Sequence, residues 1–297
     1  MLFVKTTPAE KRAAFAKALK SGKLLRFPGA MNPLTAMMIE GKGFDGVYVS
    51  GAVLAADLGL PDIGLTTLDE VAGRGQQIAR VTNLPSIIDV DTGFGEPMNM
   101  ARTIRAIEDA GLSGCHLEDQ VNPKRCGHLD NKSVVSTADM VKKVKAAAKA
   151  KRDKNFTIIA RTDARAVEGL DKAIDRAKAY ADAGADMIFP EAMLSEKEFS
   201  AMRKAVKVPL LANMTEFGKA ELLTTKKLEN LGYNVVIYPV TTLRLAMGAL
   251  DRGLDVIKKK GTQESLLGEM QTRKELYELL RYEDYNAFDQ SVFNFKV

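Results

Sequence analysis

The sequence predicts an α/β protein, a (β/α)8 TIM barrel with a helical extension at its C-terminal end. Eight short apolar runs alternate with helical stretches, which is typical of a parallel sheet covered by helices. Eight such units close naturally into a barrel, and 297 residues suffice for one barrel and an extension. The alternative, an open doubly wound sheet, is disfavoured because residues 28–33 lack the Gly-x-Gly-x-x-Gly of its first βα junction.

Each predicted element rests on apolar runs and on the residues that begin and end helices. The predicted strands cover residues 24–30, 46–50, 86–91, 114–118, 156–163, 187–191, 209–215 and 235–240. The predicted helices cover residues 8–22, 66–81, 97–110, 137–151, 168–183, 195–206, 224–231, 241–260 and 262–280. Several helices begin near Ser, Thr or Pro and end near Gly or Asn, as capping requires.

A single domain is predicted over residues 1–297, with the barrel over about 8–260 and the extension over about 261–297. No linker or low-complexity stretch divides it. The end of the extension, residues 281–297, is rich in Tyr and Phe. Such a tail on a protein of ordinary composition predicts packing against another surface, such as that of a neighbouring subunit.

Composition excludes several classes of protein. The 43 Lys and Arg against 38 Asp and Glu give a net charge of +5, too modest to indicate a nucleic-acid partner. Cys115 and Cys126 form no Cys-x-x-Cys motif, so neither a disulfide framework nor a thiolate zinc site is expected. No apolar run approaches the roughly 18 residues of a membrane span, and the first residues do not have the pattern of a signal peptide. We therefore expect a cytoplasmic protein that does not insert into a membrane.

Paired polar residues end several of the predicted strands. The pairs are Asp89 and Asp91, His116 and Glu118, Arg161 and Asp163, and Asn213 and Thr215. Residues two positions apart on a strand point to the same face of the sheet. In a barrel, the C-terminal ends of the strands line the active site. The spacing therefore predicts that these side chains, together with Ser50 and Glu191 at two other strand ends, form one site.

Three of these acids are candidate metal ligands. Asp89, Asp91 and Glu118 supply only carboxylate oxygens, which suit Mg²⁺ or Mn²⁺ better than Zn²⁺. Because Mg²⁺ usually keeps several waters, one of the three is expected to bind through water. The competing interpretation is that Asp89 and Asp91 cap a strand and begin the turn over residues 91–95.

Arg161 is the best candidate for binding an anionic substrate, because a guanidinium at a strand end can hold a carboxylate with two hydrogen bonds. The alternative is an ion pair with Asp163 or Glu191, and both roles are compatible in a resting enzyme. Arg244 and Arg273 are weaker candidates because they follow the last predicted strand.

The stretch from Glu118 to His128 combines a thiol with several potential cations. Cys126 lies among Lys124, Arg125 and His128, and nearby positive charge favours the thiolate. A thiol that titrates near neutral pH suits general acid–base catalysis. Two alternatives are a solvated loop with an incidental cysteine and a Schiff base on Lys124. The Schiff base is disfavoured because the metal acids make a covalent electron sink unnecessary.

These motifs resemble the isocitrate lyase/phosphoenolpyruvate mutase superfamily, and within it the 2-methylisocitrate lyases. The resemblance covers nearly the whole chain, and the Lys-Arg-Cys-Gly-His run at 124–128 is its most specific part. Isocitrate lyases typically read Lys-Lys-Cys-Gly-His there, and the phosphonate-forming mutases lack the cysteine. The other matching stretches are 48–51, 60–62, 89–95, 116–120, 160–163, 189–191, 213–217 and 270–273.

The resemblance implies specific roles for residues of this chain. It implies Mg²⁺ at Asp91 with Asp89 and Glu118 nearby, and Cys126 as the catalytic acid with Lys124, His128 and Arg161 around it. The implied substrate contacts are Ser50, Gly51, Ala52, Asp62, Cys126, Gly127, Arg161, Glu191, Asn213, Thr215, Arg244 and Arg273. Ala52 departs from the family, which often has a second glycine at that position. The resemblance also implies a homotetramer in which the last helix is exchanged between subunits.

The implied reaction is cleavage of 2-methylisocitrate to pyruvate and succinate, in the methylcitrate route of propionate breakdown. The C2–C3 bond breaks in a retro-aldol sense, Cys126 protonates the succinate fragment, and the loop over 119–132 closes to exclude water. Isocitrate lyases typically carry tryptophan where this chain has Phe189, and the smaller ring, with Ile237, would leave room for an extra methyl group. The rivals are isocitrate cleavage to glyoxylate, oxaloacetate hydrolysis, phosphonate mutation, and a paralogue without catalysis.

Overall fold

A computed structural model describes residues 4–125, 127 and 132–293 of the chain. The chain divides into two compact units, Met1–Thr242 and Leu243–Val297. The division of one domain into a barrel over about 8–260 and an extension over about 261–297 stays a prediction.

Eight short strands lie in the first unit, as the apolar runs predict. They are β1 (Leu25–Pro28), β2 (Val47–Val49), β3 (Ser86–Asp89), β4 (Gly114–Glu118), β5 (Thr157–Thr162), β6 (Met187–Pro190), β7 (Leu211–Asn213) and β8 (Val235–Tyr238). Their hydrogen-bonded neighbours are parallel, in the orders β2-β3-β4-β5-β6 and β1-β8-β7. Parallel bridges between Gly29 and Tyr48 and between Ile188 and Leu210 join the two sets into a closed ring. The predicted eight-stranded barrel is confirmed.

Helices follow the strands and extend beyond them. They are α1 (Pro8–Leu19), α2 (Pro33–Gly41), α3 (Gly51–Asp57), α4 (Leu68–Ala79), α5 (Pro97–Asp109), α6 (Thr137–Ala150), α7 (Ala164–Glu168), α8 (Leu170–Asp182), α9 (Glu196–Ala205), α10 (Thr225–Asn230), α11 (Thr241–Lys260), α12 (Arg273–Leu280) and α13 (Tyr282–Phe293). The helix predicted over 262–280 is instead a 3₁₀ helix, Glu264–Glu269, followed by α12. The interruption ends at Thr272, whose side chain and Glu275 form a capping box for α12.

Two apolar layers stabilise the first unit. An inner cluster fills the barrel and includes Ile87, Ile159, Phe189 and Ile237. An outer cluster packs the opposite faces of the same strands against the helices. The alternation of strand side chains produces both layers. Cys115 belongs to the outer cluster, as its position next to inward-facing His116 predicts.

Helix α1 is attached to the N-terminal ends of the strands. Its Phe15 packs on Phe27 of β1, with 5.4 Å between ring centroids. The buried ammonium of Lys11 donates to the carbonyl of Ala79 at 2.8 Å, and Nε of Arg12 donates to that of Leu112 at 2.8 Å. This leaves the C-terminal ends of the strands available for a site.

The second unit has a different character. The described residues of α11, α12 and α13 include no buried side chain. Several of its large apolar side chains are exposed, among them Leu245, Leu254 and Phe293. None of the helices in the described ranges is long and apolar enough to cross a membrane.

Candidate active site

The predicted acids come together at the ends of β3 and β4. Asp89 ends β3 and pairs in register with His116 of β4, and the backbone N–H of Glu118 donates to the carbonyl of Asp91 at 2.9 Å. Asp91 has a φ of 49°, in the left-handed region that costs non-glycine residues energy. The predicted turn after Asp91 is therefore present, and it places the carboxylates of both strand ends on one side of the barrel.

Burial dominates the electrostatics of these acids. It raises the pKa of Asp89 and of Asp91 and raises that of Glu118 well above its ordinary value, since ionisation costs energy in a desolvated site. The ammonium of Lys124 partly compensates, because it forms an ion pair with Asp62 and lies 2.8 Å from Oδ1 of Asp91. Cations are therefore favoured beside these carboxylates.

Lys124 itself remains protonated at this position. Burial lowers its pKa, but Glu118, Asp89, Asp91 and Asp62 outweigh that effect and raise it above the ordinary value. A Schiff base requires the neutral amine. The surroundings of Lys124 therefore disfavour the Schiff-base alternative and favour a role as a fixed positive charge.

The carboxylates offer oxygen atoms to a metal ion without forming a ready-made cage. Among the described residues, no three carboxylate, histidine or cysteine side chains form a group able to hold a metal. Both carboxylate oxygens of Glu118, however, are buried and have no hydrogen-bond partner within the described part of the chain. Oε2 faces Nη1 of Arg161 in an ion pair at 3.2 Å, so Oε1 is the atom that best fits a hard cation, which takes one or two protein carboxylates and completes its shell with water.

Arg161 lies at the centre of the acidic side chains. Its Nε donates to Oδ2 of Asp163 at 2.9 Å and its Nη2 donates to Oδ1 at 3.1 Å. Its Nη1 lies 3.2 Å from Oε2 of Glu118, and its Nη2 lies 3.4 Å from Oε2 of Glu191. The guanidinium also covers the ring of Phe189, at 5.3 Å from the centroid. The predicted ion pairs with Asp163 and Glu191 both form.

The pKa of Asp163 follows from this pairing. Burial raises it, but the charges of Arg161 and Lys132 outweigh burial and hold the pKa below its ordinary value. Asp163 is thus a carboxylate whose negative charge is already balanced. It orients Arg161 and leaves the Nη1 side of the guanidinium directed towards Glu118.

A buried network behind the site fixes the end of β5. Asp119 accepts hydrogen bonds from Oγ1 of Thr162 at 2.8 Å, from the backbone N–H of Asp163 at 2.9 Å and from the hydroxyl of Tyr180 at 2.8 Å. Arg176 of α8 adds an ion pair with the same carboxylate at 3.5 Å. This network was not predicted from the sequence. Asp119 follows Glu118 directly and points the opposite way, which is the signal that could have identified it.

Neutral aromatic and imidazole groups support the acids from inside the barrel. Nε2 of His116 lies 2.7 Å from the hydroxyl of Tyr48, and the imidazole packs edge-on against Phe189 at 5.2 Å. Burial, with the charge of Arg161, lowers the pKa of His116 to about 3. The neutral imidazole therefore serves as a hydrogen-bonding group and not as an acid near neutral pH.

The predicted substrate contacts of the first unit lie at several strand ends. Ser50 caps α3, and its hydroxyl accepts from the N–H of Val53 at 3.4 Å. A Cβ on Gly51 would lie 2.9 Å from Oδ2 of Asp89, so this backbone passes directly over a predicted metal ligand. Ala52, the departure from the family pattern, is half-buried on α3.

Two further strand ends complete the set within the first unit. Nδ2 of Asn213, which ends β7, donates to Oε2 of Glu191 at 3.3 Å. Thr215 is buried two residues further along the chain. Arg244 and Arg273 belong to the second unit, on α11 and at the start of α12, so their predicted roles stay predictions.

Gly127 of the Lys-Arg-Cys-Gly-His run lies against this cluster. A Cβ at Gly127 would lie 2.4 Å from Nη2 of Arg161 and 2.7 Å from Cγ of Glu191. The predicted catalytic residues Cys126 and His128 lie outside the described residues. Lys132, which the sequence analysis missed, donates from Nζ to the carbonyl of Gly127 and lies 2.9 Å from Oδ1 of Asp163.

Comparisons with known proteins identify the family to which the chain belongs. The family model described as phosphoenolpyruvate phosphomutase matches residues 15–258. A probable 2-methylisocitrate lyase of Corynebacterium glutamicum is 62% identical over 288 residues, which cover 97% of this chain and 94% of that protein. The chain belongs to the 2-methylisocitrate lyase family. It is accordingly a carbon–carbon lyase, and the family predicted from the sequence is confirmed.

Two solved structures of the wider superfamily share the fold at 31% sequence identity. An oxaloacetate acetylhydrolase bound to 3,3-difluorooxalacetate has a TM-score of 0.92 at 31% identity, covering 98% of this chain and all of that one. A phosphonopyruvate hydrolase bound to oxalate and Mg²⁺ has a TM-score of 0.87 at 31% identity, covering 97% of this chain and 99% of that one. The chain shares the fold of these two proteins, each of which was solved with a small molecule bound and one of which also holds Mg²⁺.

Proposed function

We propose that the protein cleaves 2-methylisocitrate to pyruvate and succinate in a Mg²⁺-dependent reaction, as part of the methylcitrate route of propionate breakdown. The observation that carries the proposal is the buried convergence of Arg161 and Lys124 on Glu118 and Asp91 at the barrel's C-terminal end. Fixed cations and a metal ion both complement a substrate with three carboxylates and a hydroxyl. High identity to relatives named for this reaction supports the choice within the superfamily.

The residues of the chain have distinct tasks in this reaction. Asp91, Asp89 and Glu118 would hold Mg²⁺, which when bound supplies a Lewis acid for the negative charge that develops on substrate oxygen. Arg161, oriented by Asp163, binds a substrate carboxylate and stabilises the charge that develops during cleavage.

Bond cleavage then requires two proton movements. A base takes the proton of the C2 hydroxyl, the C2–C3 bond breaks, and C2 becomes the ketone carbon of pyruvate. The electron pair of the broken bond remains on the succinate fragment, which receives a proton from Cys126. Gly127, which follows Cys126 in the sequence, lies against Arg161 and Glu191. The residue next to the proposed proton donor therefore contacts the guanidinium that binds the substrate carboxylate.

The size of Phe189 favours 2-methylisocitrate over isocitrate as the substrate. Its ring is buried inside the barrel, in the same cluster as Ile237, and borders the guanidinium of Arg161. A larger indole at this position would have to fit against His116, whose ring centroid is already 5.2 Å away. The smaller ring leaves more space beside Arg161 for a substrate methyl group.

Steady-state kinetics on both substrates test this proposal. We expect turnover of 2-methylisocitrate to pyruvate and succinate, a much lower kcat/KM with isocitrate, and loss of activity with EDTA that returns on addition of Mg²⁺. Products are quantified by chromatography so that pyruvate and glyoxylate are distinguished. Glyoxylate from isocitrate as the main product would favour an isocitrate lyase, and activity that EDTA leaves intact would exclude the metal from the mechanism.

We also propose that the chain assembles into a homotetramer through its second unit, with the last helix exchanged between subunits. The support is the exposed apolar surface of this unit, where Leu245 is 70% and Leu254 is 64% exposed. Apolar patches of this kind usually mark an interface. Light scattering is expected to give about four times the 32.4 kDa of one chain. Leu254→Glu should dissociate the assembly and Asp255→Glu should not, whereas a monomeric wild type would contradict the proposal.

A further inference from the structure

The side chain of Lys132 is buried beside Arg161 and Asp163, where its ammonium has two partners, one a carboxylate and one a backbone carbonyl. Its side chain is 2% exposed, and its Nζ lies 2.9 Å from Oδ1 of Asp163, which is itself fully buried. The same ammonium donates to the backbone carbonyl of Gly127. Burying an ammonium costs energy unless charge and hydrogen bonds compensate. Both compensating partners here belong to the active-site region.

The two partners connect Lys132 to Arg161 by separate routes. Asp163 forms a two-point hydrogen-bonded pair with the guanidinium, at 2.9 and 3.1 Å. Gly127 packs so closely on the same guanidinium that a Cβ would lie 2.4 Å from Nη2. Lys132 therefore links the backbone of Gly127 to Asp163, the acid that orients Arg161. Its ammonium sets the distance between the Gly127 backbone and the anion-binding group.

We propose that Lys132 is a positioning residue for the lyase reaction, holding the backbone of Gly127 against Arg161 through Asp163. The inference rests on the proposed function, in which Cys126 supplies the proton. Lys132 does not donate to the substrate in this role. Losing the contacts of Lys132 with Gly127 and Asp163 should lower kcat and leave KM little changed. The reason is that Arg161 keeps its pair with Asp163 when the lysine is removed.

Three variants test the inference. In Lys132→Met the side chain keeps a similar length but loses the charge and the donors. Lys132→Arg keeps charge and enough donors for both partners. Lys142→Met is the matched control, because Lys142 is 66% exposed on α6 and pairs only with Asp139 among the ion pairs found. Each variant is measured for kcat, KM, thermal unfolding and hydrogen exchange of peptides that contain Gly127.

The expected result separates positioning from general stability. Lys132→Met should lower kcat by about 10²-fold, the loss expected from misplacing a reacting group by about 1 Å, with KM little changed. Lys132→Arg should recover most of the lost kcat, and exchange near Gly127 should be faster in the methionine variant alone. Lys142→Met should match the wild type in each measurement.

Other outcomes overturn the inference. If Lys132→Met raises KM and leaves kcat unchanged, Lys132 does not act by positioning Gly127. The same conclusion follows if Lys132→Arg is as stable to heat as the wild type but recovers none of the lost kcat. If the wild type fails to turn over 2-methylisocitrate, the proposed function fails. The exchange comparison then still decides whether Lys132 holds Gly127, and unchanged exchange in Lys132→Met rejects that role.

Discussion

Arg161→Lys is expected to lower kcat/KM by about 10²–10³-fold, comparable to the loss of one oxyanion-stabilising donor. Arg161 contacts Asp163 through two parallel hydrogen bonds and reaches both Glu118 and Glu191 with its remaining donors. A lysine ammonium is a point charge and cannot reproduce this planar set of contacts. Steady-state kinetics on 2-methylisocitrate, with KM and kcat separated, provide the measurement.

The lysine variant retains a positive charge among the acids, so the fold is expected to persist and thermal unfolding should confirm it. Arg165→Lys is the matched control, because Arg165 also forms a two-point pair, with Glu198, but outside the acidic cluster. The control should keep nearly wild-type kinetics. Equal losses in the two variants, or full activity in Arg161→Lys, would show that the guanidinium of Arg161 has no special role.

The parts of this site that sequence patterns predict are those governed by local periodicity. Arg161 and Asp163 lie two positions apart at the end of a buried strand, and they contact each other as this spacing predicts. Asp91 follows β3 in a turn with a φ of 49°, so the spacing predicts its nearness to Asp89 only together with that turn. The alternation also predicts that Cys115 packs in the outer layer while His116 points inward. Closure of the barrel follows from the number of strands.

The residues missed by the sequence analysis depend on contacts between distant segments. Lys132 is 31 positions from Asp163, and Asp119 is 57 positions from Arg176. No short-range pattern marks such a partner, and a lysine in a polar loop is ordinarily solvated. The short helices α2, α3 and α7 were not predicted either, because few turns leave little periodicity to detect.

Gly127→Ala is expected to lower kcat by about 10²-fold, because there is no space for a Cβ at this position. The added methyl group would displace the Gly127 backbone from Arg161 and the reacting groups. The new Cβ would lie 2.4 Å from Nη2 of Arg161 and 2.7 Å from Cγ of Glu191. Neither neighbour can yield easily, since Asp163 and the ring of Phe189 hold the guanidinium in place. The constraint is space and not backbone conformation, because φ of Gly127 lies outside the left-handed region.

Gly73→Ala serves as the control for adding a methyl group. Gly73 lies within α4, where an added Cβ would meet no atom within 4 Å. Alanine there should leave kcat unchanged and stabilise the helix by about 0.5–1 kcal/mol, measured as a higher unfolding midpoint. Gly127→Ala should instead lose kcat without a comparable change in that midpoint. Wild-type kcat in Gly127→Ala would mean that the loop tolerates displacement, and the proposed contact between Gly127 and Arg161 would then have no part in catalysis.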